Sequence, residues 1–226
     1  MKKHFFFILM LGSIKSYSQI SIDTGVIGHY NHAINNLKPE YCTKEMKQNK
    51  LEIEKRGDVG FCIFTSFKSD TLNKNEALKD NHFAYPRLML IDGTKDLTYA
   101  NFMSMGYNDN DTLKINLPIL LPSIFPNIYQ KVINGKVNAR MEYIGADTSV
   151  MLNLKQKPSD YLYIPSTALK YTLSTSDYTI GNAVYGEAEI VTDPYYVNNG
   201  GFKTGYIYQR IHCKYVFKFP IIKKPF

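Results

Sequence analysis

Alternation of polar and apolar positions is the dominant pattern of this chain, and it is clearest near the C-terminal end. Because successive side chains of a β-strand point to opposite faces, such a pattern predicts a strand with a core face and a wet face. The run from Tyr206 to Phe219 is the longest example, and we expect it to be the centre of an antiparallel sheet. Its predicted core face comprises Ile207, Gln209, Ile211, Cys213, Tyr215, Phe217 and Phe219.

Shorter runs of strand-like sequence occur along most of the chain. Glycine, asparagine, aspartate and proline separate them at short intervals, which is typical of a sandwich or a barrel. We predict a mainly β fold, namely an antiparallel β-sandwich-like domain with one or two short helices. The predicted strands before the last one are 50–55, 59–67, 85–91, 97–105, 112–117, 136–144, 149–154, 161–164, 169–174, 183–192 and 195–197.

Several segments lack the strand pattern. Residues 73–79 and 127–133 are predicted as short helices, and residues 20–40 as an irregular, asparagine-rich N-terminal segment with a helical turn after Pro39. Three prolines within residues 118–126 exclude a central strand there. We predict a single mainly-β domain over residues 19–226, with a subdivision near 118–126 as the alternative.

The first eighteen residues have the three-part layout of a secretory signal peptide. A basic start is followed by an apolar run from Phe5 to Leu11 and by small residues at Ser16 and Ser18. The apolar run is much shorter than the ~20 residues that a membrane-spanning helix needs. We therefore predict a signal peptide over residues 1–18, cleavage after Ser18, no membrane span in the mature chain, and a periplasmic, cell-surface or extracellular location.

Composition and charge describe an ordinary globular chain rich in strand-forming residues. The chain has 226 residues, and its eighteen Tyr and thirteen Phe favour strands over helices. The formal charge is +7, and removal of the leader with Lys2, Lys3 and Lys15 would leave +4. The other lysines alternate with acidic residues and form no basic run, so we expect no nucleic-acid partner.

Three cysteines allow at most one internal disulfide. Cys62 and Cys213 both lie in predicted strands and are the favoured disulfide pair, which would leave Cys42 unpaired. The alternative is that all three are small buried hydrophobic residues. An exported protein would meet the oxidising conditions that a disulfide requires.

Tyrosines cluster in the C-terminal part of the chain. Tyrosine has an apolar ring and a polar tip, so a group of exposed tyrosines suits a protein or glycan partner. The alternative is ordinary packing beneath a second layer. The clustered pairs are Tyr161 and Tyr163, Tyr195 and Tyr196, and Tyr206 and Tyr208. We predict a binding surface formed by Tyr195, Tyr196, Tyr206 and Tyr208.

No catalytic or metal-binding motif is recognisable. His29 and His32 are three residues apart but lack a ligand set with the spacing of a zinc site. Residues 109–111 resemble the start of a calcium loop, yet the required Gly and Glu are missing, and a polar hairpin tip is the preferred interpretation. Glu187 and Glu189 share a predicted strand face, which we interpret as solvated. We assign no catalytic residue, metal or cofactor.

These observations predict an exported, soluble β-protein that acts as a non-enzymatic binding or structural component of the cell envelope or extracellular space. One alternative is a secreted hydrolase whose catalytic residues are scattered along the sequence. Another is a small outer-membrane β-barrel, although only the last strand has the ~10-residue alternating length that such barrels repeat throughout.

Overall fold

A computed structural model of the chain describes residues 18–36, 48, 60–72, 99–118, 127–144, 150–198 and 206–224. These residues contain one helix and twelve strands of varied length. In chain order they are β1 (Ser18–Gln19), β2 (Ser21–Ile22), α1 (Gly25–Asn35), β3 (Gly60–Thr71), β4 (Tyr99–Asp109), β5 (Thr112–Pro118), β6 (Asn127–Ile133), β7 (Lys136–Ile144), β8 (Val150–Met151), β9 (Tyr161–Leu173), β10 (Ala183–Thr192), β11 (Tyr195–Asn198) and β12 (Tyr206–Pro220).

Eight strands form a closed antiparallel barrel. Their order around the ring is β3, β4, β5, β6, β7, β9, β10 and β12. Pairing of β7 with β9 and of β12 with β3 closes the ring. The predicted mainly-β, antiparallel fold is confirmed, but the predicted sandwich is wrong. Alternation along a strand is the same in both architectures, and only the partners of the strands distinguish them.

The strand β12 has the central position that its sequence pattern predicts. It pairs along most of its length with β3 on one side and with β10 on the other. Its predicted core residues from Ile211 to Phe219 are buried inside the barrel. The opposite face carries Arg210, His212, Lys214 and Lys218, which lie on the outside.

Side chains fill the interior of the barrel, and two glycines make room for the largest of them. Gly186 lies opposite Phe217, and a Cβ atom at Gly186 would be 2.2 Å from Cζ of that ring. At Gly106 a Cβ atom would lie 2.4 Å from Cε2 of Phe219. The two phenylalanine rings stack on each other with centroids 5.8 Å apart. The barrel therefore has an aromatic core that depends on these glycines.

A buried hydrogen-bonded chain crosses this core. The Tyr171 hydroxyl donates to Oε1 of Gln130, and Nε2 of Gln130 donates to the Tyr215 hydroxyl. All three side chains are almost fully buried. Burial raises the pKa of both tyrosines, so their hydroxyls stay protonated as donors and acceptors. The amide of Gln130 thus satisfies two polar groups that would otherwise be costly to bury.

The helix α1 covers the outside of the barrel over β3, β10 and β12. Its buried residues Val26, Tyr30 and Ile34 recur every four positions and so share one face. Tyr30 and Ile34 form an apolar cluster with Phe61, Ile63 and Val216 of the barrel wall. This second layer explains why β3 is apolar on both faces. We predicted no helix here, because Gly25, Gly28 and several asparagines weaken the helical signal.

Two further predictions concern the middle of the chain. The predicted helix at 127–133 is wrong, because these residues form β6, with Ile128, Gln130 and Val132 turned inward. The sequence pattern also predicts that 136–144 and 149–154 pair around a turn at 145–147; this is wrong, because β8 pairs with β11 and β7 pairs with β6 and β9. The helical turns predicted after Pro39 and at 73–79, the predicted strands 50–55 and 85–91, and the proline-rich segment 119–126 lie outside the described residues. The strands on either side of that segment, β5 and β6, pair with each other.

The short strands β1 and β2 lie where β7 and β9 diverge. β1 pairs with the start of β7, and β2 pairs in parallel with the end of β9. Ser18 donates a hydrogen bond to the Ala168 carbonyl, and the Ser21 and Thr172 hydroxyls lie 2.8 Å apart. The described chain is therefore incorporated into the barrel from Ser18 onward. Residues 1–17, which hold most of the predicted leader, lie outside the described residues.

Candidate functional site

One of the four tyrosines that were predicted to form a binding surface is not exposed. Tyr195 is fully buried, and its hydroxyl accepts a hydrogen bond of 3.0 Å from Nε2 of Gln209. Burial, with a smaller contribution from neighbouring Tyr143, raises the pKa of Tyr195. Its ring lies 6.2 Å from the Tyr143 ring, within the core. Tyr195 therefore packs the barrel end and does not face a partner.

The other three predicted tyrosines are half-buried on the outside of the barrel. Tyr196 and Tyr208 lie opposite each other in β11 and β12, and their rings stack with centroids 4.5 Å apart. Tyr206 lies two residues before Tyr208 on the same strand and is opposite Asn198. The structure thus places Tyr196, Tyr206 and Tyr208 close together and separates Tyr195 from them.

A second aromatic group lies on the outer face of β6, β7 and β9. We call it the tyrosine–arginine cluster, and its members are Tyr129, Arg140, Glu142, Tyr161 and Tyr163. Strand register positions its members, because Tyr129 lies opposite Arg140, and Glu142 lies opposite Tyr163. The Tyr161 and Tyr163 rings meet edge to face with centroids 5.1 Å apart. These two side chains keep 41% and 40% of their surface exposed, which is unusual for neighbouring large rings.

Glu142 holds this cluster in one arrangement. Its carboxylate is only 5% exposed and accepts hydrogen bonds from the Tyr161 hydroxyl and, at 2.8 Å, from Nδ2 of Asn127. Burial alone would raise the pKa of Glu142, but hydrogen bonds from Asn127 and from the tyrosines outweigh it and lower the pKa. Glu142 is therefore an anion at neutral pH, and it fixes the tyrosine rings around it.

Arg140 is positioned by stacking. Its guanidinium carbon lies 4.0 Å from the centre of the Tyr163 ring and 5.3 Å from that of Tyr129. Burial, together with the negative charge of Glu142, raises the pKa of Tyr129 to about 12. No carboxylate of the described residues lies within ion-pair distance of Arg140. Rigid tyrosines beside an arginine are typical of binding hot spots.

Glu187 and Glu189 lie on β10, which pairs with β9, and each forms a separate group of charged contacts. Glu187 bonds Nδ1 of His29 at 2.7 Å and Nζ of Lys170 at 2.9 Å. Glu189 contacts His212 and a second lysine in the same way. Each carboxylate is thus paired locally with one lysine and contacts one histidine. The shared strand face that we predicted is confirmed, and its charges are balanced within the wall.

The two described cysteines do not form the predicted disulfide. Register places Cys62 opposite Phe217 and Cys213 opposite Phe67, an offset of four residues along β12. Such an offset corresponds to roughly 13 Å of strand, more than a disulfide can bridge. Both are buried thiols whose pKa is raised by burial. Cys42 lies outside the described residues.

The histidine and calcium-loop candidates also have defined places. His29 contacts Glu187, whereas Nδ1 of His32 lies 3.3 Å from the Asn36 amide. The described residues contain no group of three or more metal-ligating side chains. Asn110 and Asp111 have positive φ angles of 49° and 60°, as the two central residues of a tight hairpin turn do. The interpretation of this segment as a hairpin tip is confirmed.

An open cleft of about 640 Å³ lies at one end of the barrel. It is bounded by the β4–β5 turn, the loop between β9 and β10, and the residues after β12. Most of its charged groups already have partners within its walls. Asp177 accepts hydrogen bonds from Thr179 and Asn182, and Lys224 pairs with Asp109 at 2.8 Å. The cleft is therefore a weaker candidate than the tyrosine–arginine cluster.

Comparison with known proteins adds no family to this picture. The chain matches no protein-family model, no curated protein and no solved structure. Among the described residues, no helix is both long enough and apolar enough to cross a membrane.

Tyr129, Arg140 and Glu142 were not predicted as site residues from the sequence. The signal was present, because residues 127–133 and 136–144 alternate around the Asn134-Gly135 turn. Reading both runs as a hairpin would have placed Tyr129 opposite Arg140 on its outer face. The interpretation of 127–133 as a helix concealed this relationship.

Proposed function

We propose that this chain is an exported, non-enzymatic binding protein of the cell envelope or extracellular space. Its binding surface is the tyrosine–arginine cluster on the outer wall of the barrel. The observation that carries the proposal is the exposure of Tyr161 and Tyr163 in an arrangement braced by Glu142 and Arg140. A pre-ordered aromatic surface loses little conformational entropy when a partner binds.

The distribution of apolar side chains supports an external binding surface. The interior of the barrel is filled by phenylalanine, tyrosine and aliphatic side chains. Ligand-carrying barrels need an interior chamber, whereas this core is packed around the Phe217 and Phe219 rings.

Export is inferred from the leader pattern of residues 1–18. The described chain joins the barrel from Ser18 onward, so a leader cut near this position would leave the barrel strands in the mature protein. The two buried thiols do not oppose export, because burial keeps them away from oxidants.

Affinity purification of the tagged full-length precursor from its native host tests both parts of this proposal. Mass spectrometry of the recovered protein reports the N-terminus, which we expect near residue 19, and identifies what is recovered with it. A variant with Tyr161→Ala and Tyr163→Ala should lose those partners. The matched control, Leu154→Ala with Leu169→Ala, removes two other exposed apolar side chains and should keep them. An uncut leader, or equal recovery from both variants, would contradict the proposal.

A further inference from the structure

The outer wall formed by β5, β6, β7 and β9 carries three cations that have no ion-pair partner among the described residues. Lys131 and Lys136 are exposed, and Arg140 is stacked beside Tyr163. None of the three has a carboxylate within ion-pair distance among the described residues. On the neighbouring strand β10, Glu187 and Glu189 are each paired with a lysine and a histidine. The outward faces of β6 and β7 thus carry three unpaired cations and one described carboxylate, Glu142, so their charge is positive on balance.

These cations lie in line with the exposed tyrosines. Lys136 and Arg140 share the outward face of β7, and Lys131 lies opposite Asn138 between them. Tyr163 lies opposite Glu142, and Tyr161 lies at the end of the same strand pair. From Lys136 to the level of Tyr161 the track covers all nine residues of β7, and the eight steps between them span roughly 26 Å at ~3.3 Å per residue.

We propose that this track binds an acidic polysaccharide, which lies along β7 with sugar rings on Tyr161 and Tyr163 and carboxylates at Lys131, Lys136 and Arg140. The proposal rests on the function proposed above and names the chemical class of the partner. The positive charge attracts an anionic chain. The flat tyrosine faces and the Asn138 amide offer stacking and hydrogen bonds to a hydroxyl-rich ring.

The linear shape of the track favours an extended chain over a globular protein partner. Hot spots of protein interfaces cluster at the centre of a patch inside a ring of surrounding contacts, whereas these groups are spread along the length of β7 and its neighbours β6 and β9. An extended peptide would bind by pairing with a free strand edge. The ring of eight strands is closed, so this wall has no free edge to offer.

The number of cations favours a polysaccharide over a nucleic acid. Proteins that depend on phosphate contacts use about 6–10 of them for strong, salt-sensitive binding. This wall has three unbalanced cations, which is few for that purpose. A polysaccharide that also stacks on tyrosines and bonds with amides depends less on charge alone.

Isothermal titration calorimetry of the protein purified from its native host tests the proposal. The probes are hexagalacturonate, the neutral cellohexaose, and a twelve-residue thymidine oligonucleotide. We expect hexagalacturonate to bind at least about tenfold more tightly than either of the other probes. Its affinity should fall as the salt concentration is raised from about 50 to about 300 mM, because salt screens the attraction between charges. Equal binding of hexagalacturonate and cellohexaose, or tighter binding of the oligonucleotide, would overturn the proposal.

Variants assign the binding to the track. Lys131→Gln with Lys136→Gln should weaken hexagalacturonate binding about tenfold and reduce its salt dependence, because two exposed charges are removed without disturbing the core. The control is Lys155→Gln with Lys157→Gln, which removes the same charge from another exposed segment and should change affinity less than about twofold. Equal losses in both variants would show general charge attraction and refute a specific track.

The stacking contribution is tested separately. Tyr163→Ala should weaken binding of hexagalacturonate roughly tenfold while the salt dependence stays that of the unaltered protein. Circular dichroism checks that the variant keeps its strand content. If hexagalacturonate fails to bind but the tyrosine variant still loses its native partners, the proposed binding function stands and the polysaccharide is the wrong class. If both experiments fail, both proposals fall.

Discussion

Replacement of Gly186 by alanine should be one of the most damaging single-methyl changes in this barrel. The added Cβ would lie 2.2 Å from Cζ and 2.5 Å from Cε2 of Phe217, far inside van der Waals contact. The ring has little room to move, because Tyr171, Tyr215 and Phe219 surround it at centroid distances of 6.0, 5.7 and 5.8 Å. Overpacking of a well-filled core costs about 1–3 kcal/mol. Because the ring is so confined, we expect Gly186→Ala to lower the free energy of unfolding by about 3 kcal/mol.

Urea unfolding followed by far-UV circular dichroism measures the loss. For a protein of this size about 3 kcal/mol corresponds to a fall of roughly 6–12 °C in Tm. Phe217→Leu should relieve the clash, so the double variant should lose about 1–2 kcal/mol less than the sum of the single losses. Gly28→Ala is the matched control, because a Cβ there meets nothing within 4 Å. It lies in α1 and should stabilise by about 0.5–1 kcal/mol.

Two results would refute this reasoning. If Gly186→Ala loses less than about 0.5 kcal/mol, the aromatic core is loosely packed and the ring can move aside. If the losses from Gly186→Ala and Phe217→Leu simply add, the two positions do not contact each other, and the register of β10 with β12 would be wrong.

Three further predictions address the core, the barrel end and the thiols. Gln130→Met leaves two buried tyrosine hydroxyls without their partner and should lower the free energy of unfolding, measured in urea, by about 2–4 kcal/mol. An unchanged midpoint of urea unfolding would contradict the hydrogen bonds from Gln130 to these tyrosines. Hydrogen bonds from two lysines lower the pKa of Asp109 from 3.8 to about 2. The contribution of ionised Asp109 to the free energy of unfolding is therefore fully present above about pH 4 and is lost as the pH falls to about 2. Asp109→Asn should flatten the dependence of Tm on pH between these two values. In a Cys42→Ser variant, a thiol reagent added without reductant should label neither Cys62 nor Cys213 in the folded protein and both of them in the unfolded protein. If the two cysteines formed a disulfide, neither would be labelled in either state.

The contribution of the sequence differs between elements. The strand β12 was predicted with its faces correctly assigned, because Ile211, Cys213, Tyr215 and the following phenylalanines alternate with charged residues. The same logic placed Glu187 and Glu189 on one outer face. In each case the period of two is a local property, so it is visible without knowledge of any partner strand.

The helix α1 and the strand β6 were assigned wrongly for different physical reasons. In α1 the fourfold spacing of Val26, Tyr30 and Ile34 is present, but two glycines and several asparagines lower helical propensity, and packing on the barrel compensates for it. In β6 the buried Gln130 interrupts the apolar pattern. Its burial is stabilised by two tyrosines that are distant in sequence, so no local window reveals it.

The residues of the candidate site were likewise only partly predictable from the sequence. Its members Tyr161 and Tyr163 were noticed as a cluster from their spacing, whereas Arg140 and Glu142 became relevant only through the pairing of β7 with β6 and β9. The sequence also could not show which tyrosine side chains are exposed, since Tyr195 and Tyr196 are neighbours and only Tyr195 is buried.

By itself, the sequence determined that the chain is a mainly antiparallel β-protein, which residues alternate along β12, and that residues 109–111 form a hairpin tip. Only the tertiary structure decided that the sheet closes into a barrel, that Cys62 and Cys213 stay apart, and that Arg140 stacks on the tyrosines of a neighbouring strand. Alternation and turn chemistry are encoded within a few residues, whereas closure and side-chain neighbours depend on register between strands that are far apart in the chain.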